Sequence, residues 1–128
     1  FVYLSLFTKL VCGKYAVNLQ GKILFLEELG FEATPEMVNS NIYYLKQNGV
    51  FDKIAGLWIG NYEHPSKIGL EKIIINAIGD EYKFPIIKSD NFGHIDKKII
   101  IPIGTKAEIN TNEKIKIKLV EKCVDEGK

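Results

Sequence analysis

Three short apolar runs, Ile23–Leu26, Ile54–Ile59 and Phe84–Ile87, alternate with two stretches of helical periodicity, and this alternation constrains the fold most. Runs of that length, bounded by Gly or Pro, read as buried strands rather than helices. Gly21 breaks the chain before the first run, and Gly60 closes the second. Between them, Thr34 can cap and Pro35 can begin a helix through Met37, Ile42, Leu45 and Lys46, with Gly49 as its stop. Ser66 is placed to cap a second helix carrying Ile68, Leu70, Ile73, Ile74 and Ala77. Ahead of all this, Phe1, Leu4, Phe7, Leu10 and Val11 recur at helical spacing, which predicts a short opening helix ending near Gly13.

Beyond His94 the texture changes. Ile99–Ile101, Ala107–Ile109 and Ile115–Leu119 are short β-rich runs divided by Pro102, Gly104 and the Asn110-Thr111-Asn112 turn. Lys114 to Leu119 alternates lysine with apolar residues, the pattern of a strand with one wet face in an antiparallel pairing. The expectation is an α/β fold with a mixed sheet and a C-terminal β-rich segment, forming one domain over residues 1–128.

The 128 residues, 46% hydrophobic and 26% charged, can bury a substantial core. A net charge of +1 gives no overall field for nucleic acid or an anionic membrane, and neither is expected as a partner. All 17 basic residues are lysine. Without arginine, a substrate carboxylate would be held by lysine, by backbone N–H groups, or by residues outside this chain. Cys12 and Cys123 lack the spacing of a zinc or redox motif, so no metal or cofactor is expected and a reducing, cytoplasmic compartment is. The opening apolar stretch is too short to span a bilayer and lacks a basic n-region and a cleavage site. A chain that begins on Phe1 reads as a piece of a longer protein.

Two residues carry chemical promise. Glu27 ends the first apolar run, where open α/β sheets place their sites, and His94 follows Gly93 in a loop past the third. An acid orienting a histidine is two thirds of a Ser-His-acid relay. The third member is missing. Of four serines, Ser5 and Ser40 fall in helical patterns, Ser66 at a cap and Ser89 in a turn; none sits in a G-x-S-x-G elbow. His64, before Pro65, reads as an ordinary loop residue.

Several segments together resemble one family. Gly21-Lys22-Ile23-Leu24-Phe25-Leu26-Glu27-Glu28 is similar to the GKILFLED-type segment of the LD-carboxypeptidases, serine peptidases that include muramoyltetrapeptide carboxypeptidase and the microcin C immunity proteins. The stretch from Leu45-Lys46 through Gly49, Phe51-Asp52 and Gly56-Leu57 to Gly60 resembles a second segment of that family. Phe92-Gly93-His94 and Ile101-Pro102-Ile103-Gly104 resemble its FGH loop and downstream P-x-G. The family departs from this chain at the start, with a common Gly-Gly-Asn-Leu where Phe1-Val2-Tyr3-Leu4 stands and Gly-Thr-x-Tyr where Val11 to Tyr15 stands.

The resemblance covers the family's C-terminal domain, a swivelling β/β/α arrangement, and implies Glu27 and His94 as catalytic residues. The nucleophilic serine would come from the protein's own N-terminal domain, acting on murein peptides, and the family implies a possible homodimer. A one-residue shift in strand register would substitute Glu28 for Glu27. Peptidase action on a microcin-type amide is an alternative within the family. A second alternative is a phosphohistidine-type swivelling carrier, which needs no carboxylate against its imidazole, whereas a relay needs one within about 3 Å.

Overall fold

A computed structural model describes residues 3–124. Phe1 of the opening helical pattern lies outside them. The elements in chain order are α1 (Leu4–Val11), β1 (Ile23–Leu26), α2 (Pro35–Gln47), β2 (Gly56–Ile59), α3 (Leu70–Ile78), β3 (Ile86–Lys88), β4 (Ala107–Ile109) and β5 (Ile117–Leu119).

Strands β1, β2 and β3 form a parallel sheet in sequence order, with Leu24 opposite Leu57 and Leu57 opposite Ile86. β4 and β5 pair antiparallel as a sheet of their own. Both expected kinds of pairing therefore occur, divided between two sheets rather than carried by one. β2, the central strand, is buried at all four positions, as a parallel strand covered on both faces must be.

Side chains alternate faces along each strand, and this sorts the core into two layers. Leu24, Leu26, Leu57 and Ile59 pack with Phe7, Val38, Ile42, Leu45, Leu70 and Ile74 of the helices. Phe25, Trp58 and Ile87 belong to a second cluster with Phe92, Ile101, Ile109 and Ile117. The helices thus cover one face, while the His94 loop and the small antiparallel sheet contribute to the other. Within the helical layer α1 packs on α2 and α2 on α3.

Local signals explain the helix ends. Thr34 Oγ1 accepts the Met37 N–H at 3.4 Å, and Pro35 occupies a first-turn position where no backbone donor is needed. At the other end, Val50 N–H reaches Leu45 C=O and Gly49 N–H reaches Lys46 C=O, the paired bonds of a Schellman stop. α1 is capped differently. Its N-cap, Tyr3, makes no side-chain bond, and Glu28 instead accepts the Ser5 N–H at 3.0 Å and the Ser5 hydroxyl. A carboxylate there also opposes the helix dipole.

Several expectations need correction, among them the starts of β3 and β5, which begin at Ile86 and Ile117 rather than at Phe84 and Ile115. Ser66 does not cap α3, whose N-cap is Gly69. Lys67 takes a left-handed conformation (φ 56°) that turns the chain between Ser66 and the helix, leaving Ile68 ahead of it. Ile99–Ile101 is not a strand: Pro102 offers no N–H, and Ile99 N–H is spent on Asn91 C=O at 2.8 Å. β2 begins at Gly56 rather than Ile54, whose N–H closes a turn onto Val50. Among the described residues, no helix is long and apolar enough to cross a membrane.

Candidate active site

The carboxyl edge of the parallel sheet continues as a set of backbone bonds that draws three loops together. Gly60 N–H donates to Leu26 C=O, Glu28 N–H to Asn61 C=O, Asn61 N–H to Phe92 C=O, and Ser89 N–H to Ile59 C=O. Tyr3 pairs beside Glu27 in an isolated parallel bridge, and Leu4 N–H donates to Glu27 C=O at 3.0 Å. The result sets the end of β1, the loop after β2 and the Phe92-Gly93-His94 loop side by side.

Here Glu27 Oε2 lies 3.0 Å from His94 Nδ1, across 67 residues of sequence. Strand alternation settles which acid does this. Leu26 faces the helices, Glu27 the opposite side with Phe25, and Glu28 returns to the helical side to cap α1. Glu27, not Glu28, is the carboxylate against the imidazole.

The pair is asymmetric in its surroundings. The Glu27 side chain is fully buried, while 44% of the His94 side chain remains exposed. Burial pushes the Glu27 carboxyl above its ordinary value; hydrogen bonds and charge from His94 pull it back, and Glu28 adds a further upward push. Its second oxygen, Oε1, is buried without a hydrogen-bond partner among the described residues. Gly93 makes the contact possible. It holds φ at +122°, and a Cβ there would stand 3.2 Å from Glu27 Oε2 and 3.1 Å from Asn61 Cβ.

A carboxyl raised on folding keeps its proton to higher pH in the native chain than in the unfolded one. Its contribution to stability therefore falls as pH climbs from the ordinary carboxylate range through the raised value. Over that window the stability of Glu27→Gln relative to wild type should rise, measured by urea unfolding at a series of pH values. A difference that stays flat with pH would contradict the burial of an ionisable Glu27.

Sequence reasoning missed Tyr3. Its ring meets His94 edge-on, with centroids 5.5 Å apart and planes at 70°, and its hydroxyl donates to Glu32 Oε2 at 2.5 Å. Burial first, then Glu32 and Glu28, push this phenol far above its ordinary range, so it stays a neutral donor. The only signal for it was the departure from Gly-Gly-Asn-Leu at this point. Tyr3, Glu32 and His94 line an open groove of about 860 Å³ whose other walls are apolar, among them Leu6, Leu10 and Leu29.

The remaining candidates lie elsewhere. Ser89 Oγ accepts the Trp58 indole N–H at 2.9 Å, Ser5 serves Glu28, and Ser40 sits on α2. Ser66 Oγ stands 2.8 Å from His64 Nδ1, which also accepts the Ser66 N–H at 3.1 Å. That is a local turn between residues two apart, stacked on Tyr62. Among the described residues no group of three or more His, Cys, Asp or Glu is arranged to hold a metal ion.

Residues 3–109 match the LD-carboxypeptidase C-terminal domain family. The chain belongs to that family. It is 28% identical over 129 residues to a probable murein peptide carboxypeptidase of Bacillus subtilis strain 168, covering 97% of this chain and 39% of that protein. Against a putative carboxypeptidase of Treponema pallidum strain Nichols it is 26% identical, covering 87% of this chain and 33% of the relative. The chain thus spans well under half the length of these two relatives.

The fold is shared with solved members. The microcin C7 self immunity protein MccF in complex with aspartyl sulfamoyl adenosine aligns with a TM-score of 0.82 at 22% identity, over 98% of this chain and 38% of that one. Muramoyltetrapeptide carboxypeptidase from Oxalobacter formigenes aligns at 0.68 and 20% identity, over 82% and 38%. At these identities the likeness is one of fold.

Proposed function

We propose that this LD-carboxypeptidase C-terminal domain supplies the histidine and the orienting glutamate of a Ser-His-Glu relay. The reading rests on one observation: a fully buried carboxylate 3.0 Å from the Nδ1 of a half-exposed imidazole. The serine belongs to an N-terminal domain of the whole protein, and the substrate is a murein peptide ending in an L–D amide. Wall-peptide recycling in the cytoplasm is the corresponding role.

Glu27 accepts the Nδ1–H, which fixes the tautomer with the lone pair on Nε2, the atom that acts as base. The serine hydroxyl gives its proton to Nε2 as its oxygen attacks the carbonyl carbon, and Glu27 compensates the imidazolium that forms. His94 then returns that proton to the nitrogen of the departing D-amino acid as the amide C–N bond breaks. Water repeats the sequence on the acyl-serine, with His94 again the base, and releases the shortened peptide. Donors for the oxyanion come from the rest of the protein.

The contact between Glu27 and His94 counts against the phosphohistidine carrier, which has no use for a carboxylate on its imidazole. The microcin-type activity stays inside the same chemistry. The test is release of a terminal D-amino acid from an L,D-tetrapeptide by the whole protein, beside an aminoacyl sulfamoyl nucleoside as competing substrate. Turnover of the nucleoside alone would assign the microcin-type activity. The 128-residue chain by itself should release nothing; turnover by it would show that a nucleophile lies within the chain.

A further inference from the structure

His94 lines two depressions, and their charges differ. One, a groove, carries Glu32 as its charged wall. The other, about 370 Å³, shares only His94 with it and is formed by Phe92, Gly93, His94, Lys98, Ile99 and Ile101. Among the described residues lining that second depression, Lys98 holds the only permanent charge. We propose that Lys98 receives the terminal carboxylate of the peptide, so that the departing residue lies over the Ile99–Ile101 side of His94 and the acyl portion runs toward Tyr3 and Glu32. The assignment rests on the peptidase reading above.

A carboxypeptidase must tell a free carboxylate from an amide, and only a cation or a set of N–H donors does so. This chain has no arginine, so within it the task falls to lysine or to the backbone. Lys46 and Lys88 are engaged in ion pairs with Glu81 and Asp90, and Lys118 with Glu113 on the small sheet. Lys98 shares a depression with the residue that acts on the scissile bond. The carboxylate sits one residue beyond that bond, which demands a cation close to His94 but not on it. Placed the other way round, a substrate would bring its carboxylate toward Glu32, where like charges repel. The apolar walls, Ile99 and Ile101, suit a small aliphatic side chain on the leaving residue.

The test compares an L,D-tetrapeptide with its C-terminal amide in the whole protein carrying Lys98→Met, Lys98→Arg or Lys97→Met. Lys97, its neighbour, is not among the lining residues and serves as the control. Lys98→Met should raise KM for the free acid roughly tenfold or more, with kcat little changed, and erase the preference for acid over amide. Lys98→Arg should keep most of that preference, and Lys97→Met all of it. Retention of the full preference in Lys98→Met, or its equal loss in Lys97→Met, would overturn the assignment while leaving the relay intact. If wild type turns over no L,D-peptide, the peptidase reading fails and the assignment falls with it.

Discussion

Alanine at His94 in the whole protein is expected to lower kcat roughly 10⁴-fold or more, with KM nearly unchanged, because it removes both the base and the acid of the proposed cycle. By transition-state arithmetic that corresponds to about 5 kcal/mol of lost stabilisation. The side chain is 44% exposed and sits in a loop, so the fold should survive the change, but the buried Glu27 carboxylate loses its imidazole partner and the melting temperature should fall. Glu27→Gln provides the informative partner. A glutamine can present its amide N–H to Nδ1, driving the imidazole proton onto Nε2, where it blocks base catalysis. We expect a loss of roughly 10³–10⁴-fold with the protein still folded. The double variant should be little worse than His94→Ala alone, since an orienting acid has nothing to do without its histidine. Steady-state kinetics on the L,D-tetrapeptide check all three, and a wild-type rate in either single variant would refute the relay.

Much of this arrangement was legible because it depends on period and punctuation. The run Ile23–Leu26 is β1 residue for residue, and Thr34, Pro35 and Gly49 bracket α2 as their backbone preferences require. Glu27 and His94 could be nominated because a strand end and a glycine-bearing loop are local features. Their contact could not, since it depends on how β1, β2 and β3 stack in parallel and on which face Glu27 takes. Ile99–Ile101 shows a limit of the same reasoning: three isoleucines suit a strand, but pairing needs a partner edge, and Pro102 and Asn91 divert the backbone first. Ser66 failed as a cap for a different reason, the left-handed Lys67, which residue type does not foreshadow. Tyr3 stayed hidden because it reaches His94 only through the bridge that lays residue 3 beside Glu27.

That dependence on close packing makes Gly93→Ala the second large effect. Its φ of +122° lies where L side chains are disfavoured, and strain of this kind costs about 1–3 kcal/mol. The added methyl would also stand 3.2 Å from Glu27 Oε2 and 3.1 Å from Asn61 Cβ, so the loop must move outward to admit it. Movement at that point lengthens the contact between Glu27 and His94, and a misplacement on the order of 1 Å costs roughly 10²-fold in rate. Gly104→Ala separates the two causes. Gly104 also has positive φ (+86°), but its Cβ would meet nothing within 4 Å. Both variants should therefore lose stability in thermal melts, by about 1–3 kcal/mol each. Only Gly93→Ala should also lose peptidase activity, roughly 10²-fold. Equal activity in the two variants would mean that the loop absorbs the methyl without disturbing the imidazole, and that the spacing of Glu27 and His94 does not set the rate.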